Sequence, residues 1–212
     1  MTSQASIHSA TSLRLLGSHP AARRSKKVPQ VLPEVSLLQL LALPDLSTDL
    51  GCRDRAILAV LVACGLRASE LLALRYCDIG GDYIFVPKGK GGRQRYVPIT
   101  PWAVEAIDAY SDFPGMPGER VFKNAWGQPL SRRGLYSIVK GYLQELGFFK
   151  ASLHTLRHSA ATLWLDKGIN LSYVQVMLGH ADIRTTSIYL HTAVQAMVGE
   201  YKRRFGGFEP GV

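Results

Sequence analysis

The sequence predicts an α+β domain that is mainly α-helical and contains one small antiparallel β-sheet. Three observations support this fold class. From residue 31 onward, apolar residues recur mostly at helical spacing. The pattern changes to alternation in two short runs, residues 83–86 and 95–99, which flank a glycine-rich stretch typical of a hairpin. With 212 residues, 47% of them hydrophobic, the chain can build one full domain with a sizeable core.

The helices can be placed from their apolar faces and their capping residues. A short helix at residues 37–41 stops near Pro44. Residues 53–64 are apolar on most faces and predict a central buried helix that Gly65 ends. The segment 113–129, with its prolines and glycines, is expected to be a loop. The other predicted helices cover residues 68–74, 101–110, 131–147, 153–167, 172–178 and 184–205.

Charge and cysteine content bound the class of function. The net charge is +9 and the pI is near 9.6, which favours a polyanionic partner, most commonly nucleic acid, over a merely basic or ribosome-associated surface. Three cysteines, Cys52, Cys64 and Cys77, form no C-x-x-C pair. This pattern predicts a reducing cytoplasm without a disulfide framework or zinc site. No apolar run is long enough to predict a membrane span.

Residues 1–30 differ in composition from the rest of the chain. They contain five Lys or Arg residues and no Asp or Glu. We interpret this segment as a disordered basic arm that contacts phosphates, and residues 31–212 as the catalytic domain. An organellar transit peptide has the same acid-poor composition and is the alternative.

A histidine and an arginine share one face of a predicted helix. His154 and Arg157 are three residues apart, so an imidazole that can move a proton lies beside a guanidinium that can hold a phosphate. Taken alone, this pair is weak and fits an ordinary polar helix surface. His154 and His158 stand four apart, as zinc-binding histidines do, but residue 155 is Thr where a metalloprotease has its Glu. The sequence therefore does not favour a metal.

Arg67 lies at the junction of two apolar helices. A charged side chain so close to a core needs a partner. One interpretation is a structural ion pair with Glu70, and the other is a second phosphate clamp. The two roles are compatible.

Two further segments carry candidate residues. The hairpin tip offers Lys88, Lys90, Arg93 and Arg95, whose glycine neighbours let the backbone approach a ligand closely. Tyr189 follows His180 by nine residues. An isolated tyrosine there would be read as core, and its phenol becomes a plausible nucleophile only beside cations that hold a phosphate.

Together these blocks resemble the tyrosine site-specific recombinase family, also called the phage integrase family. The matching runs are Gly-Leu-Arg-Ala-Ser-Glu-Leu at 65–71, Gly-Lys-Gly-Gly-Arg-Gln-Arg at 89–95, His-Thr-Leu-Arg-His at 154–158, Leu-Gly-His at 178–180, and Tyr189. Each run is weak, but their order and spacing are specific. The resemblance covers roughly residues 32–205 and implies the mainly helical catalytic fold of that family.

The resemblance implies a role for each matching residue. Arg67 and Arg157 would clamp the scissile phosphate, and His180 would hydrogen-bond it. Lys90, rather than Lys88, would protonate the 5′-oxygen leaving group. His154 would take part in proton transfer, and Tyr189 would attack to form a 3′-phosphotyrosyl link. His158 would be structural, and no metal or nucleotide cofactor is implied.

The resulting expectation is a cytoplasmic, nucleoid-associated enzyme of DNA recombination or integration, such as an integrase, invertase or resolvase of a mobile element. Its partner would be double-stranded DNA, with four copies assembled on paired sites and a monomer in solution. Lys88, Arg93, Arg95, Arg132 and Arg133 are candidate DNA contacts. The alternatives are a non-catalytic DNA-binding protein that retains the fold and an enzyme similar to type IB topoisomerases.

Two features of the resemblance leave questions open. Most members of the family carry a helical core-binding domain before the catalytic domain, whereas residues 1–30 alone precede the fold here. The apolar spacing of Val194, Met197, Val198 and Tyr201 predicts a packing face on the last helix. That face can dock on its own core or on a neighbouring copy, and the sequence does not separate the two arrangements.

Overall fold

The computed structural model describes residues 30–87, 94–111, 120–179 and 190–208. Within those ranges the chain forms eight α-helices and a two-stranded antiparallel sheet, which confirms the predicted fold class. In chain order the elements are α1 (Glu34–Ala42), α2 (Asp49–Cys64), α3 (Ala68–Ala73), β1 (Tyr83–Val86), β2 (Arg95–Pro98), α4 (Pro101–Ser111), α5 (Arg132–Glu145), α6 (Leu153–Asp166), α7 (Leu171–Leu178) and α8 (Leu190–Phe205).

Helix α2 is the centre of the fold, as its all-round apolar sequence predicts. Residues 56–64 are at most 1% exposed. The helix begins four residues before the predicted start, because the Thr48 side chain accepts the Gly51 N–H at 3.0 Å and caps the first turn. It ends where predicted, at Gly65, which adopts a left-handed conformation with φ 55°.

Three helices surround α2. Helices α1, α4 and α6 pack against it and bury their apolar faces there, which removes these side chains from water and supplies the main driving force for the fold. The buried side chains of these three helices include Leu37, Leu40, Leu41, Ala103, Ile107, Tyr110, Leu156, Leu163 and Trp164.

The sheet lies where the periodicity of the sequence changes. Tyr83 pairs with Pro98 and Val86 with Arg95, in antiparallel register. Ile84 and Val97 are fully buried, so one face of the sheet joins the core. Strand β2 contacts α2, α7 and α8. The predicted hairpin tip at residues 88–93 lies outside the described residues.

The segment before α5 is more ordered than the loop the sequence predicts. Its described part, residues 120–130, folds back on itself, with Lys123 bridged to Pro129 and the Leu130 N–H donating to the Phe122 carbonyl at 3.1 Å. Phe122 is buried and stacks on Tyr110. In the described part, Gly127 and Pro129 therefore belong to a tight turn anchored in the core.

The described part of α8 packs on its own chain. Tyr201, Phe205 and Phe208 are at most 3% exposed, and the Tyr201 hydroxyl donates to the Ala63 carbonyl near the end of α2 at 2.6 Å. The packing face predicted around Met197 is therefore occupied in cis.

The described chain is buried almost from its first residues. Leu32 is 2% exposed, and its N–H donates to the Ser159 hydroxyl at 2.8 Å. The predicted basic arm falls almost wholly outside the described residues. Within the described ranges, no helix combines the length and the apolar character needed to cross a bilayer.

Candidate functional site

One cleft brings together residues from the start of α3, from α5 and from α6. It has a volume of about 280 Å³ and lies between the start of α3, the first turns of α6 and the first turns of α5. Arg67, His154 and Arg157, three of the six predicted catalytic residues, line it. The full lining is Leu66, Arg67, Ala68, Ser69, Arg132, Tyr136, Leu153, His154 and Arg157.

Local capping sets the direction of the helices at the cleft. The backbone N–H of Ser152 donates to the Thr155 hydroxyl at 3.1 Å, and the Ser152 hydroxyl accepts the Thr155 N–H, so α6 begins at Leu153. Since Leu153 and His154 line the cleft, the positive end of the α6 dipole lies at it. The cleft wall thus favours an anion before any side-chain charge is counted.

Arg157 is the deepest cation of the site. It is 8% exposed, and its terminal nitrogens donate to the carbonyls of Gly65 and Leu178. Both acceptors lie at helix C-termini, where carbonyls are left free by the helix ladder. Burial, reinforced by the charges of Arg67 and Arg95, lowers the pKa of Arg157 to about 10, so it stays protonated at neutral pH.

Arg67 lies beside Arg157 and shares one of its acceptors. Its second terminal nitrogen donates to the Leu178 carbonyl at 3.0 Å and to the Gly179 carbonyl at 3.4 Å. The side chain keeps 27% of its surface exposed, which leaves room for a ligand. The end of α7, directly before His180, is therefore tied to both arginines of the cleft.

Glu70 links Arg67 to Arg95, a buried arginine of β2. Its carboxylate, in a residue only 8% exposed, accepts four hydrogen bonds of 2.8 to 2.9 Å, two from Arg67 and two from Arg95. Burial alone would raise its pKa, but the bonds and charge of Arg95, followed by those of Arg67, lower that pKa to about 2. The ion pair weighed for Arg67 is therefore present, and the same residue also lines the cleft.

The charges in this cluster do not cancel. Arg67, Arg95 and Arg157 carry three positive charges, and within the described ranges Glu70 pairs with Arg67 and Arg95, whereas Arg157 donates to carbonyls. An excess of positive charge in a partly buried site is stabilised by an anion, and guanidinium forks match the geometry of phosphate.

Arg95 corrects one expectation from the sequence. It was predicted to contact DNA from the hairpin, but its side chain is only 7% exposed. Both terminal nitrogens bind Glu70, and its third nitrogen donates to the Met177 carbonyl at 2.8 Å. Arg95 therefore supports Arg67 through Glu70 and does not face a duplex.

His154 and His158 contact each other along α6. Their Nε2 atoms are 2.9 Å apart, and the rings meet edge to face with centroids at 4.4 Å. A hydrogen bond between two imidazole nitrogens requires one of them to accept, so at least one ring of the pair is neutral. His154 faces the cleft, which gives the site a group able to accept or donate a proton. Among the described residues, no three His, Cys, Asp or Glu side chains cluster as a metal site.

Two cleft residues were missed from the sequence. Tyr136 stands four residues after Arg132 on α5, and both face the cleft, while Ser69 contributes from α3. Helical spacing places Arg132 and Tyr136 on one face, but the sequence does not show that this face meets Arg67. Arg133 is exposed and does not line the cleft.

The remaining predicted site residues lie outside the described ranges. They are Lys88, Lys90, Arg93, His180 and Tyr189.

Comparison with known proteins finds one family throughout. The family model described as "Phage integrase family" matches residues 30–196. "Tyrosine recombinase XerD" of Listeria innocua is 38% identical over 190 residues, covering 85% of this chain and 64% of the relative. "Tyrosine recombinase XerC" of Chlamydia trachomatis is 34% identical over 194 residues, covering 86% and 62%. The chain thus spans a little under two thirds of the length of these relatives.

Solved structures agree with the sequence relatives. The crystal structure of XerA recombinase superposes with a TM-score of 0.66 at 27% identity, covering 88% of this chain and 68% of that one. A second structure, of XerH site-specific recombinase bound to its difH substrate in a pre-cleavage complex, gives 0.61 at 27% identity, covering 80% and 55%.

Proposed function

Because this chain belongs to the phage integrase family, the tyrosine recombinases, we propose that it is a site-specific recombinase that cleaves and rejoins DNA through a 3′-phosphotyrosyl intermediate. Residues 31–212 form its catalytic domain in this proposal, and residues 1–30 form a basic arm. The similarity to the recombinases XerD and XerC supports recombination rather than topoisomerase activity or passive DNA binding.

One observation carries the proposal. Arg67, at the start of α3, and Arg157, in α6, both donate to the Leu178 carbonyl beside His154, and of these two guanidinium groups Arg67 is the one paired with Glu70. A phosphodiester placed in this cleft finds two cations for its non-bridging oxygens and an imidazole for proton transfer. Negative charge that builds up on the non-bridging oxygens in the transition state is stabilised by such preorganised groups.

The six predicted residues divide the reaction between them. Arg67 and Arg157 bind the phosphate, His180 adds a hydrogen bond, and His154 takes part in moving the proton of the nucleophile. The Tyr189 oxygen attacks phosphorus while the bond to the 5′-oxygen breaks, and Lys90 gives that oxygen a proton.

The reaction is reversible because the number of phosphate ester bonds does not change. One phosphate ester forms as one breaks, so the energy of the strand is kept in the link to tyrosine. The 5′-hydroxyl of a second strand can then attack the link, release Tyr189 and complete the exchange. The chemistry as written consumes neither a nucleotide nor a metal ion.

The proposed partner is double-stranded DNA, with four copies assembled on two paired sites and a monomer in solution. Arg132, which lines the cleft, and Arg133, exposed beside it, are proposed DNA contacts. In a bacterial cell this places the protein in the cytoplasm, on the nucleoid. The choice between integration, inversion and resolution depends on the arrangement of sites on the DNA.

A suicide substrate tests the proposal. The substrates are duplexes taken from the DNA that flanks the gene, each with a nick next to the expected cleavage position. Cleavage releases the short fragment beside the nick, so the strand cannot be rejoined and the covalent complex is trapped. The wild-type protein should shift to a slower band on a denaturing gel, and Tyr189→Phe should not. Tyr173→Phe, which alters a half-buried tyrosine of α7 outside the cleft, should behave as wild type. An adduct that persists in Tyr189→Phe overturns the assignment of the nucleophile.

A further inference from the structure

Trp126 is displayed on the surface in an unusual way. It is 82% exposed, whereas Trp164 is fully buried and the indole nitrogen of Trp102 is out of contact with solvent. Single exposed apolar residues are common on proteins and need no explanation by themselves. Two further observations point to a binding role for Trp126: the rigid turn that carries it and the positive charge that follows it in the chain.

The turn that carries Trp126 is held by its own hydrogen bonds. The Asn124 side-chain oxygen accepts the backbone N–H groups of Trp126 and Gln128, both at 3.0 Å. The Asn124 N–H donates to the Gln128 carbonyl at 2.8 Å, and Gly127 takes a left-handed conformation with φ 73° that a larger residue rarely adopts. A side chain presented on so constrained a turn loses little entropy when it binds a partner.

The turn is linked directly to the phosphate cleft. Its base is anchored by Phe122 and Leu130, and the chain then enters α5, whose first residue, Arg132, lines the cleft. Six residues separate Trp126 from Arg132, so their Cα atoms are at most about 20 Å apart. At 3.4 Å per base pair, that separation is at most about six base pairs of duplex.

The charge around the turn identifies the class of partner. Residues 120–144 contain five Lys or Arg residues and no Asp or Glu; Lys123 is buried, and Arg120 and Lys140 donate to backbone carbonyls. Arg132 and Arg133 stand exposed on the first turn of α5. An exposed ring beside cations suits a duplex, because the cations bind phosphates while the ring packs against the sugars between them.

We propose that Trp126 packs against duplex DNA beside the phosphate bound in the cleft, and that the turn at residues 124–128 is a second point of contact with the substrate. The proposal rests on the proposed function, since it takes the cleft as the site of the scissile phosphate. It adds a contact that lies outside the cleft and outside the residues predicted from the sequence.

Intrinsic fluorescence reports on this contact directly. The protein is titrated at low salt with a mixed-sequence duplex of about 30 base pairs, roughly 100 Å long. Because Trp126 is the most exposed of the three indoles, its emission should be quenched and shifted to shorter wavelength as DNA binds. In Trp126→Phe the DNA-dependent change should be lost, although anisotropy of labelled DNA still shows binding.

Affinity measurements use a matched control. Trp126→Ala should weaken DNA binding about tenfold, the loss expected when the apolar surface of one indole is no longer buried against the duplex. Phe149→Ala removes another exposed aromatic side chain, 67% exposed and not part of the cleft, and should leave the affinity within about twofold of wild type. Both variants should keep the wild-type melting temperature, because neither side chain is buried.

Three results would overturn the inference. One is wild-type affinity in Trp126→Ala, and another is an equal loss in Phe149→Ala. The third is a change of Trp126 emission with protein concentration in the absence of DNA, which would assign the turn to contact with a second copy. If the wild-type protein binds DNA and forms the covalent adduct in any of these cases, the proposed function stands and only the role of Trp126 fails.

Discussion

Arg157 and Arg67 bind the same carbonyl and both line the cleft, so two positive charges lie side by side there. A guanidinium can serve a backbone carbonyl and a phosphate oxygen together because its five N–H groups point in fixed directions. An ammonium group has the charge without that fork.

This difference gives a prediction for Arg157→Lys. The charge is kept, but one group can no longer hold the Gly65 and Leu178 carbonyls and a phosphate together. The rate of adduct formation at saturating DNA should fall about 10²- to 10³-fold, as for loss of one transition-state donor. Arg55→Lys, which changes a guanidinium bound to the Leu41 carbonyl outside the cleft, should keep the wild-type rate. An unchanged rate in Arg157→Lys would show that Arg157 does not bind the scissile phosphate.

Glu70 gives a second prediction, on stability. Glu70→Gln keeps the shape of the side chain but removes the charge between Arg67 and Arg95, so the free energy of unfolding at neutral pH should fall by about 3 kcal/mol. Glu34→Gln breaks the exposed ion pair with Lys167 and should cost less than about 1 kcal/mol. Urea unfolding curves of the two variants make the comparison.

The low pKa of Glu70 fixes the pH range of this effect. Its pKa is about 2 in the folded protein against an ordinary value of 4.5, a difference worth about 3 kcal/mol. The unfolded chain takes up the proton first as pH falls, so this stability is present above about pH 5 and is lost between about pH 5 and 2. The gap between wild type and Glu70→Gln should therefore narrow on acidification. A constant gap over that range would contradict the assignment.

At the scale of elements, the end of α2 is the point where the core meets the cleft. Gly65 is left-handed, and a Cβ there would lie 2.8 Å from the Trp164 ring. Its carbonyl accepts from Arg157, and two residues before it the Ala63 carbonyl accepts from Tyr201 of α8. Helices α6 and α8 thus both attach to the last turn of α2.

Gly65→Ala should consequently destabilise the protein by about 2 kcal/mol or more, through backbone strain and the clash with Trp164. Gly141→Ala is the matched control, because Gly141 lies within α5 and a Cβ there would have no neighbour within 4 Å. That change should stabilise the protein by up to about 1 kcal/mol. Thermal unfolding of both variants tests the pair, and equal effects would contradict the structure around Gly65.

The elements were predictable where local chemistry determines them. The two strands follow from alternation, and Gly65 and Ser131 mark helix ends by their capping chemistry. The start of α2 was placed too late because Thr48 caps it through a side-chain bond, while the apolar run that identifies the helix begins later. Local rules therefore locate helices better than their first turns.

The site was predictable only in part, for a physical reason. Arg67, His154 and Arg157 belong to short motifs, and the structure brings these three together. The burial of Arg95 and the position of Tyr136 depend on which faces of β2 and α5 meet α3 and α7, and this is set by packing between segments distant in sequence. No local pattern contains that information.

At the scale of the whole molecule, positive charge is unevenly distributed. Residues 1–30 carry five basic residues, and residues 120–144 carry another five, with no acidic residue in either segment. Such segments add long-range attraction to DNA that depends on salt.

Deletion of residues 1–30 should therefore weaken DNA binding and reduce its salt dependence. Each lost phosphate contact should lower the slope of log affinity against log salt by about 0.9. The fold should survive, since Leu32 is the first buried residue of the described chain. Binding titrations at several salt concentrations measure the slope, and an unchanged slope would show that the arm does not contact phosphates.

The central claim is that Tyr189 attacks a phosphate held by Arg67 and Arg157. Mass spectrometry of the peptide recovered from the trapped covalent complex tests it most directly. We expect a nucleotide joined through its 3′-phosphate to the peptide that contains Tyr189, together with a released strand that ends in a 5′-hydroxyl. A link to another residue, or a link through a 5′-phosphate, would contradict the account.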